Sequence, residues 1–552
     1  MSERARGPRA ALGTALLLAV GCGGLTGAGV DAGADASGAG GRAPVSDAGG
    51  GSAGAASRIM TEAGSIVGRL EGTTRVFLGI PYAEPPVGDL RFRPPRPHPA
   101  WQRERYAVQR APPCAQRQPF VASYFKGTEE DCLTLNVWSP AGAKRAPVMV
   151  WLHGGSFVVG SGAQPDYDGR KLAEATGTVV VTLNYRLGAF GFLAARVLRQ
   201  EDEKHPSSGM YGLEDQRAAL AWVKANIAAL GGDPERVTLF GESAGALSAC
   251  LHLVSTPSRG LFHRVILESG ACSVSKHVTR EAAEAQGARL IAALGCDGFD
   301  DARTRGCLRR VSTRALVEAL PTSALGALAG STEWWPSVDG LELARPPREL
   351  FAAGEFVRVP TILGANADEG TLFFSSGDVV EDDASYQAFA ESLAPGHGAD
   401  IIARYPSSEF ASPRQAAARA FGDGFFVCPT RSLARTLARG GAPTFLYHFA
   451  HESADPTIPD LGVFHSSELP FVFGNPTAQL PLAPSAHDAP LARLVMGYWG
   501  ALAAAGDPNG EARLTWPAYE PVSDESLVLD LAPSIASGVA QEACDFWDAL
   551  EP

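Results

Sequence analysis

Six short runs rich in β-branched residues, at 148–152, 179–184, 237–240, 265–267, 361–363 and 444–447, are separated by longer stretches that read as helix. Strands joined by whole helices cross over and pair in parallel. The alternation therefore predicts an α/β fold: a large, mostly parallel central sheet flanked by helices. Between 213 and 230, Leu213, Leu220, Val223, Ile227 and Leu230 fall near helical spacing, and Gly231 and Gly232 supply the stop. No internal repeat occurs at solenoid or propeller periods. Residues 281–421 mix Ala-rich helical stretches with Pro and Gly, as an elaborate cap or pocket wall would. A chain of 552 residues, 45% apolar and 19% charged, can bury a large core, and one domain over 58–552 is expected.

The front of the chain has a different character. Arg4, Arg6 and Arg9 precede an apolar run at 11–20 that is too short to span a bilayer, which predicts an export signal over 1–21. Gly21 and Cys22 follow it and resemble the processing site of bacterial lipoproteins, where the cysteine is lipidated and anchors the protein to the envelope. Ala19 stands where Leu is commonest, and an ordinary secretory signal with an incidental cysteine is the alternative. From 22 to 57 the sequence falls to Gly, Ala, Ser and Asp, too few apolar groups to offset the entropy of ordering, so a flexible tether is expected. The net charge of −13, without a run of clustered Lys and Arg, argues against a nucleic-acid partner.

Gly241, Glu242, Ser243, Ala244 and Gly245 fit a nucleophile elbow, in which glycines let a strand turn sharply into a helix and lift the serine hydroxyl clear of the sheet. With 62 glycines the bare pattern recurs by chance, and Gly50 to Gly54 around Ser52 also matches. Context separates them: Ser243 lies between the run 237–240 and the helix-compatible run 244–254, whereas Ser52 lies in the tether. Upstream, Trp151, Leu152, His153, Gly154, Gly155, Ser156 and Phe157 end a strand in a glycine-rich loop suited to presenting backbone N–H groups to an oxyanion.

These features resemble the type B carboxylesterase and cholinesterase-like family of α/β-hydrolases. The resemblance covers the chain from about Arg58 onward. Glu130 through Trp138 resembles one family signature and Phe240 through Ala246 the signature around its serine. Further landmarks are Asn184 to Arg186, Leu213 to Gln216, Gly231 to Pro234 and Gly506 to Asn509. The fold it implies is the α/β-hydrolase fold. The activity it implies is hydrolysis of a small-molecule carboxylic ester through an acyl-enzyme; no cluster of Cys, His and carboxylates has recognisable metal spacing, so no metal and no cofactor are expected.

Serine needs a histidine to take its proton and a carboxylate to orient that histidine, in the chain order Ser, acid, His. By resemblance the acid is Glu369, in Asn366 to Gly370, with Asp368 the local alternative. Among eleven histidines, His465 stands in a segment, Phe464 to Gly474, that resembles the family's histidine loop. His448 reads as a strand residue, and His451 and His487 as lying in polar, exposed stretches. The resemblance further implies oxyanion donors at Gly155, Ser156 and Ala244, and a supporting polar network of Glu242, Ser269 and Glu468. Ser156 stands where the family has Gly or Ala, so its hydroxyl either narrows the hole or adds a donor.

Eight cysteines remain beyond Cys22, an even number suited to an oxidising compartment. Resemblance pairs Cys114 with Cys132, Cys296 with Cys307, and Cys428 with Cys544. Cys250 and Cys272 are left either bridged or as buried thiols. The loop from Cys114 to Cys132 holds Phe120, Tyr124 and Phe125 but no Trp, which argues against choline-ester specificity, since cholinesterases cage their cation with a Trp there. Trp334 and Trp335 are candidates for an aromatic acyl pocket.

Overall fold

The structure is a computed structural model and describes residues 56–117, 125–273, 278–320, 334–375, 380–452, 461–477 and 484–550. The signal-like segment, Cys22 and the tether through 55 lie outside the described residues, as do Phe120 and Tyr124.

The strands are β1 (Ala56–Thr61), β2 (Gly64–Glu71), β3 (Thr74–Pro81), β4 (Arg105–Tyr106), β5 (Thr134–Pro140), β6 (Ala146–Leu152), β7 (Val179–Leu183), β8 (Gly232–Glu242), β9 (Arg264–Glu268), β10 (Thr361–Asn366), β11 (Thr444–Phe449), β12 (Glu525–Leu529) and β13 (Ser534–Ser537). They form one 13-stranded sheet in the order β1-β2-β3-β5-β7-β6-β8-β9-β10-β11-β12-β13, with β4 beside β2. From β7 to β12 every pairing is parallel. The first strands and β13 close the two sides with antiparallel pairs. All six runs read as strands are strands, and the fold is that of an α/β-hydrolase. The antiparallel strands at the margins escape a periodicity reading. β1 starts at Ala56, two residues ahead of the expected domain boundary.

Alternate residues of the central strands feed two different cores. Val148, Val150, Val181, Leu239 and Leu267 join Leu220 and Val223 of the helix Tyr211–Asn226 and Leu247 of the helix Ala244–Val254 on one face. Met149, Trp151, Val180, Phe240 and Ile266 meet Val495 and Trp499 of the helix Ala489–Ala505 on the other. Covered on both faces, these strands read as continuous apolar runs rather than alternating ones. The helix expected over 213–230 ends at Asn226, earlier than its apolar spacing suggests. Gly231, at φ 89°, reverses the chain, and the Gly232 N–H donates to Ile227 O at 2.9 Å, so Ile227 and Leu230 are buried by a turn. Among its described residues the stretch 281–421 alternates helices with loops around β10, and the helices Asp383–Leu393 and Pro413–Gly422 share a third apolar cluster with the helix Gln541–Leu550.

Four disulfides are present. Cys114–Cys132, Cys296–Cys307 and Cys428–Cys544 pair as the resemblance implies, and Cys250 is bonded to Cys272. The last ties the helix Ala244–Val254 to the segment following β9. Its 22-residue separation gives a loop-closure contribution of about 3 kcal/mol. A Cys250→Ala/Cys272→Ala variant is expected to lose about 2–4 kcal/mol of unfolding free energy, read as a lower denaturant midpoint.

Candidate active site

Parallel strands leave their carboxyl ends along one rim, and the register keeps those ends level. Leu152 pairs with Gly241, Glu242 with Glu268, and Glu268 with Gly364. Ser243 follows β8 and opens the helix Ala244–Val254 with φ 55° and ψ −123°, a conformation that L side chains rarely adopt. Its N–H donates to Glu268 O at 2.9 Å and its carbonyl accepts from Leu247 N at 2.9 Å. The glycines around it are sterically required: a Cβ on Gly245 would lie 2.0 Å from Leu152 O, and one on Gly241 2.6 Å from the Gly245 carbonyl carbon. Ser243 is thereby left half-buried amid buried neighbours.

The loop after β6 lies against this elbow. A Cβ on Gly154 would meet Glu242 O at 2.9 Å and Ser243 Cβ at 3.1 Å. Gly155, Ser156 and Phe157 all have positive φ, at 105°, 52° and 61°. Gly155 O accepts from the N–H groups of Val158 and Val159, both at 3.0 Å, which closes a tight turn. The loop is braced from beneath by His153, stacked on Tyr185 with ring centroids 4.4 Å apart, while the Tyr185 hydroxyl donates to His153 O at 2.8 Å. Burial lowers the His153 pKa to about 4, so its ring is neutral.

His465 precedes the short helix Leu469–Phe473 and is buried. Its Nδ1 stands 2.6 Å from Glu369 Oε2 and its Nε2 3.0 Å from Glu242 Oε1. Glu369 is fixed in turn: its Oε1 accepts from Ser269 Oγ at 2.5 Å and from the Asn366 N–H at 2.7 Å. Asp368, the alternative acid, instead accepts from the Val463 N–H at 3.0 Å and so pins the segment leading to His465. Asn366 Nδ2 donates to Glu468 Oε2 at 2.5 Å, and Ser466 Oγ donates to Glu242 Oε1 at 2.6 Å. Burial lowers the His465 pKa, but Glu242 and Glu369 outweigh it and push it up to about 9. Glu468, buried and beside other carboxyls, is pushed up to about 8.

His465, Glu369, Glu242, Ser269 and Glu468 are therefore joined in one hydrogen-bonded cluster through Asn366 and Ser466, while Ser243 and Ala244 follow Glu242 at the elbow and the loop of Gly155 and Ser156 approaches it at Gly154. The other histidines lie elsewhere. His448 is a β11 residue, His397 is half-buried and His487 is exposed. His451 is not exposed as its polar surroundings suggest: it is buried between Asp530 Oδ1 at 2.9 Å and Asp488 Oδ1 at 3.1 Å, two carboxylates that a linear reading cannot bring together.

Two groups of residues escaped the sequence reading. Glu268 is fully buried next to Ser269 and accepts from Trp499 Nε1 at 2.7 Å. An aromatic arc starts at the His465 ring with Phe426 at 4.6 Å and Phe373 at 5.0 Å. It continues through Phe425 to Trp335, which meets Phe157 edge-on at 5.4 Å beside the glycine loop. Phe425 and Phe426 sit on a π-helical turn, Asp423–Val427, whose wider winding has no sequence signature. Trp334 and Trp335 are both buried, and the latter alone joins this arc. Among the described residues no group of three His, Cys, Asp or Glu side chains is arranged to hold a metal ion.

A strained serine elbow at the end of a central parallel strand, flanked by a glycine loop and by a histidine held between carboxylates, defines a hydrolase of the α/β class. The chain belongs to the carboxylesterase family, whose model matches residues 55–547. It is 34% identical to an acetylcholinesterase of Bungarus fasciatus, over 90% of this chain and 86% of that protein. It is likewise 34% identical to a cholinesterase of Mus musculus, over 90% and 87%. Two solved structures, a PNB esterase and a thermophilic PNB esterase, superpose with a TM-score of 0.78 each at 32% and 33% identity, covering 89% of this chain and 99% of theirs. The protein is a carboxylic-ester hydrolase acting on small-molecule esters.

The elbow contact makes a direct prediction. Gly245→Ala drives a methyl group into the Leu152 carbonyl and is expected to cost about 3 kcal/mol or more, read as a lower melting temperature.

Proposed function

We propose that this esterase works through an acyl-enzyme on Ser243, with His465 as general base and acid and Glu369 as the orienting carboxylate. The observation that carries the reading is the His465 Nδ1 to Glu369 Oε2 hydrogen bond of 2.6 Å, formed opposite the ring nitrogen a serine would use. Ser243 Oγ attacks the ester carbonyl and passes its proton to His465 Nε2. The tetrahedral oxyanion is taken by the N–H groups of Gly155, Ser156 and Ala244. Collapse breaks the bond to the alcohol, which leaves with the proton, and water repeats the sequence to release the acid. Ser269 and Asn366 hold Glu369 in place. Glu242, 3.0 Å from Nε2, shares the nitrogen that must also serve Ser243 and stabilises the imidazolium.

The arc of Phe373, Phe426, Phe425, Trp335 and Phe157 supports uncharged, aryl or short-chain acyl groups as substrates. The four disulfides support folding in an oxidising compartment. We read residues 1–21 as an export signal, Cys22 as a lipid anchor on the cell envelope and the stretch to 57 as its tether. On that reading Cys22→Ala moves the protein from the membrane fraction to the soluble one.

Assaying p-nitrophenyl esters of graded acyl length is expected to show turnover that disappears with Ser243→Ala, together with organophosphonate labelling of Ser243. A folded wild type without either would overturn the triad. Because His465 must be neutral to accept a proton, and its pKa is raised to about 9, kcat/KM should climb with pH over the neutral to alkaline range. Glu242→Gln removes a negative charge beside the imidazole and is expected to move that limb down by about one pH unit.

A further inference from the structure

Glu242, Glu268, Gly364 and Tyr447 stand side by side on adjacent parallel strands, each in register with the next. In-register residues project from the same face, so this row runs beneath the elbow from β8 to β11. The absence of a side chain at Gly364 is used. A Cβ there would lie 2.3 Å from the Tyr447 ring, so the ring lies over the glycine, on the side towards Glu268. Tyr447 is buried, and among the described residues its hydroxyl has no hydrogen-bond partner. Neither has Glu268 Oε2, nor Glu468 Oε1. Among the described residues Glu268 has a single side-chain hydrogen bond, from Trp499 Nε1 to Oε1 at 2.7 Å.

An ionised carboxylate at this position would be a buried charge with one bare oxygen, and the charges facing it are negative. Glu242 of β8 and Glu468 of the histidine loop both oppose its ionisation. Tyr447 of β11 is acidic only in the alkaline range, and Trp499 on the covering helix is neutral. Four glutamates, 242, 268, 369 and 468, are each 0–3% exposed around one histidine, and among the described residues His465 alone forms ion pairs with any of them. Leaving a buried charge unpaired costs several kcal/mol, whereas holding a proton on an unpartnered oxygen removes the charge and creates a donor.

We infer that Glu268 is held as a neutral carboxylic acid and serves as a positioning residue for Ser243. Through Trp499 its side chain fastens the helix Ala489–Ala505 to β9, and its own carbonyl receives the Ser243 N–H at 2.9 Å. Burial first, with Glu468 and Glu242 adding to it, also keeps the Glu268 pKa well above the ordinary carboxylate range. Neutrality has a catalytic consequence: a further negative charge in this cluster of acids would hold the base protonated to still higher pH.

The test compares wild type, Glu268→Gln and Glu268→Ala in the full chain. Infrared spectra at neutral pH should contain un-ionised carboxylic acid absorption, to which Glu468 also contributes, and Glu268→Gln should remove one component of it. Glu268→Gln, a neutral isostere, should keep kcat within about threefold and leave the acidic limb of kcat/KM in place. Glu268→Ala should lose about tenfold in kcat with KM little changed, a loss that Gln rescues. The inference is overturned if Glu268→Gln leaves the acid absorption undiminished, or if Gln moves the limb to lower pH by about one unit, as loss of a real charge would. A Gln variant that fails to fold, or is as slow as Ala, overturns it as well. The kinetic arm rests on Ser243 being the nucleophile, while the infrared arm does not. An acid band without Ser243-dependent turnover would therefore defeat the triad and leave the protonation of Glu268 standing.

Discussion

The approach of the elbow backbone to the Leu152 carbonyl is the contact on which the site depends. At Gly241 and Gly245 two strands and a helix come together more closely than any side chain allows. That closeness puts the glycine loop of β6 beside Ser243 and forces Ser243 into its rare backbone conformation. Conformational strain of this kind costs on the order of 1–3 kcal/mol and persists only where surrounding structure holds it. Here the holding is done by a parallel sheet covered on both faces, by the Ser243 N–H bond to β9, and by a disulfide from the elbow helix to the segment beyond β9.

The same sheet register organises the residues around His465. β8 and β9 are in register at their carboxyl ends and β10 runs on beside them, so Glu242 and Glu369, distant in sequence, reach one imidazole, with Ser269 holding Glu369. Each residue in that set constrains another: Asp368 holds the segment before His465, Ser269 holds Glu369, and Asn366 links Glu369 to Glu468. The result is a histidine whose proton affinity is set by carboxylates on both ring nitrogens. A cluster so rich in acids stays compatible with a dry interior only by distributing protons among its members. Glu369 beside His465 and Glu268 beside Trp499 thus bear the same side chain in opposite electrostatic settings.

Much of this was legible before any coordinates. The six apolar runs are strands because burial on both faces demands unbroken β-branched sequence, and that demand shows in the chain itself. Ser243 could be separated from the decoy at Ser52 because an elbow needs a strand before it and a helix after it. Glu369 and His465 depended on resemblance, since one acidic turn and one histidine among eleven carry little local signal. His451 was misread because its partners, Asp488 and Asp530, come from distant segments. Glu268 went unnoticed because a glutamate at a strand end looks like any solvent-facing residue.

The sequence by itself determined the alternating architecture, the position of the serine elbow and the glycine loop, because these rest on local periodicity and on backbone freedom that only glycine has. Tertiary structure alone decided the pairing of Cys250 with Cys272, the burial of four glutamates around one histidine, and the aromatic arc built on a π-helical turn. Those features are set by strand order and register, which bring together residues that no local pattern connects.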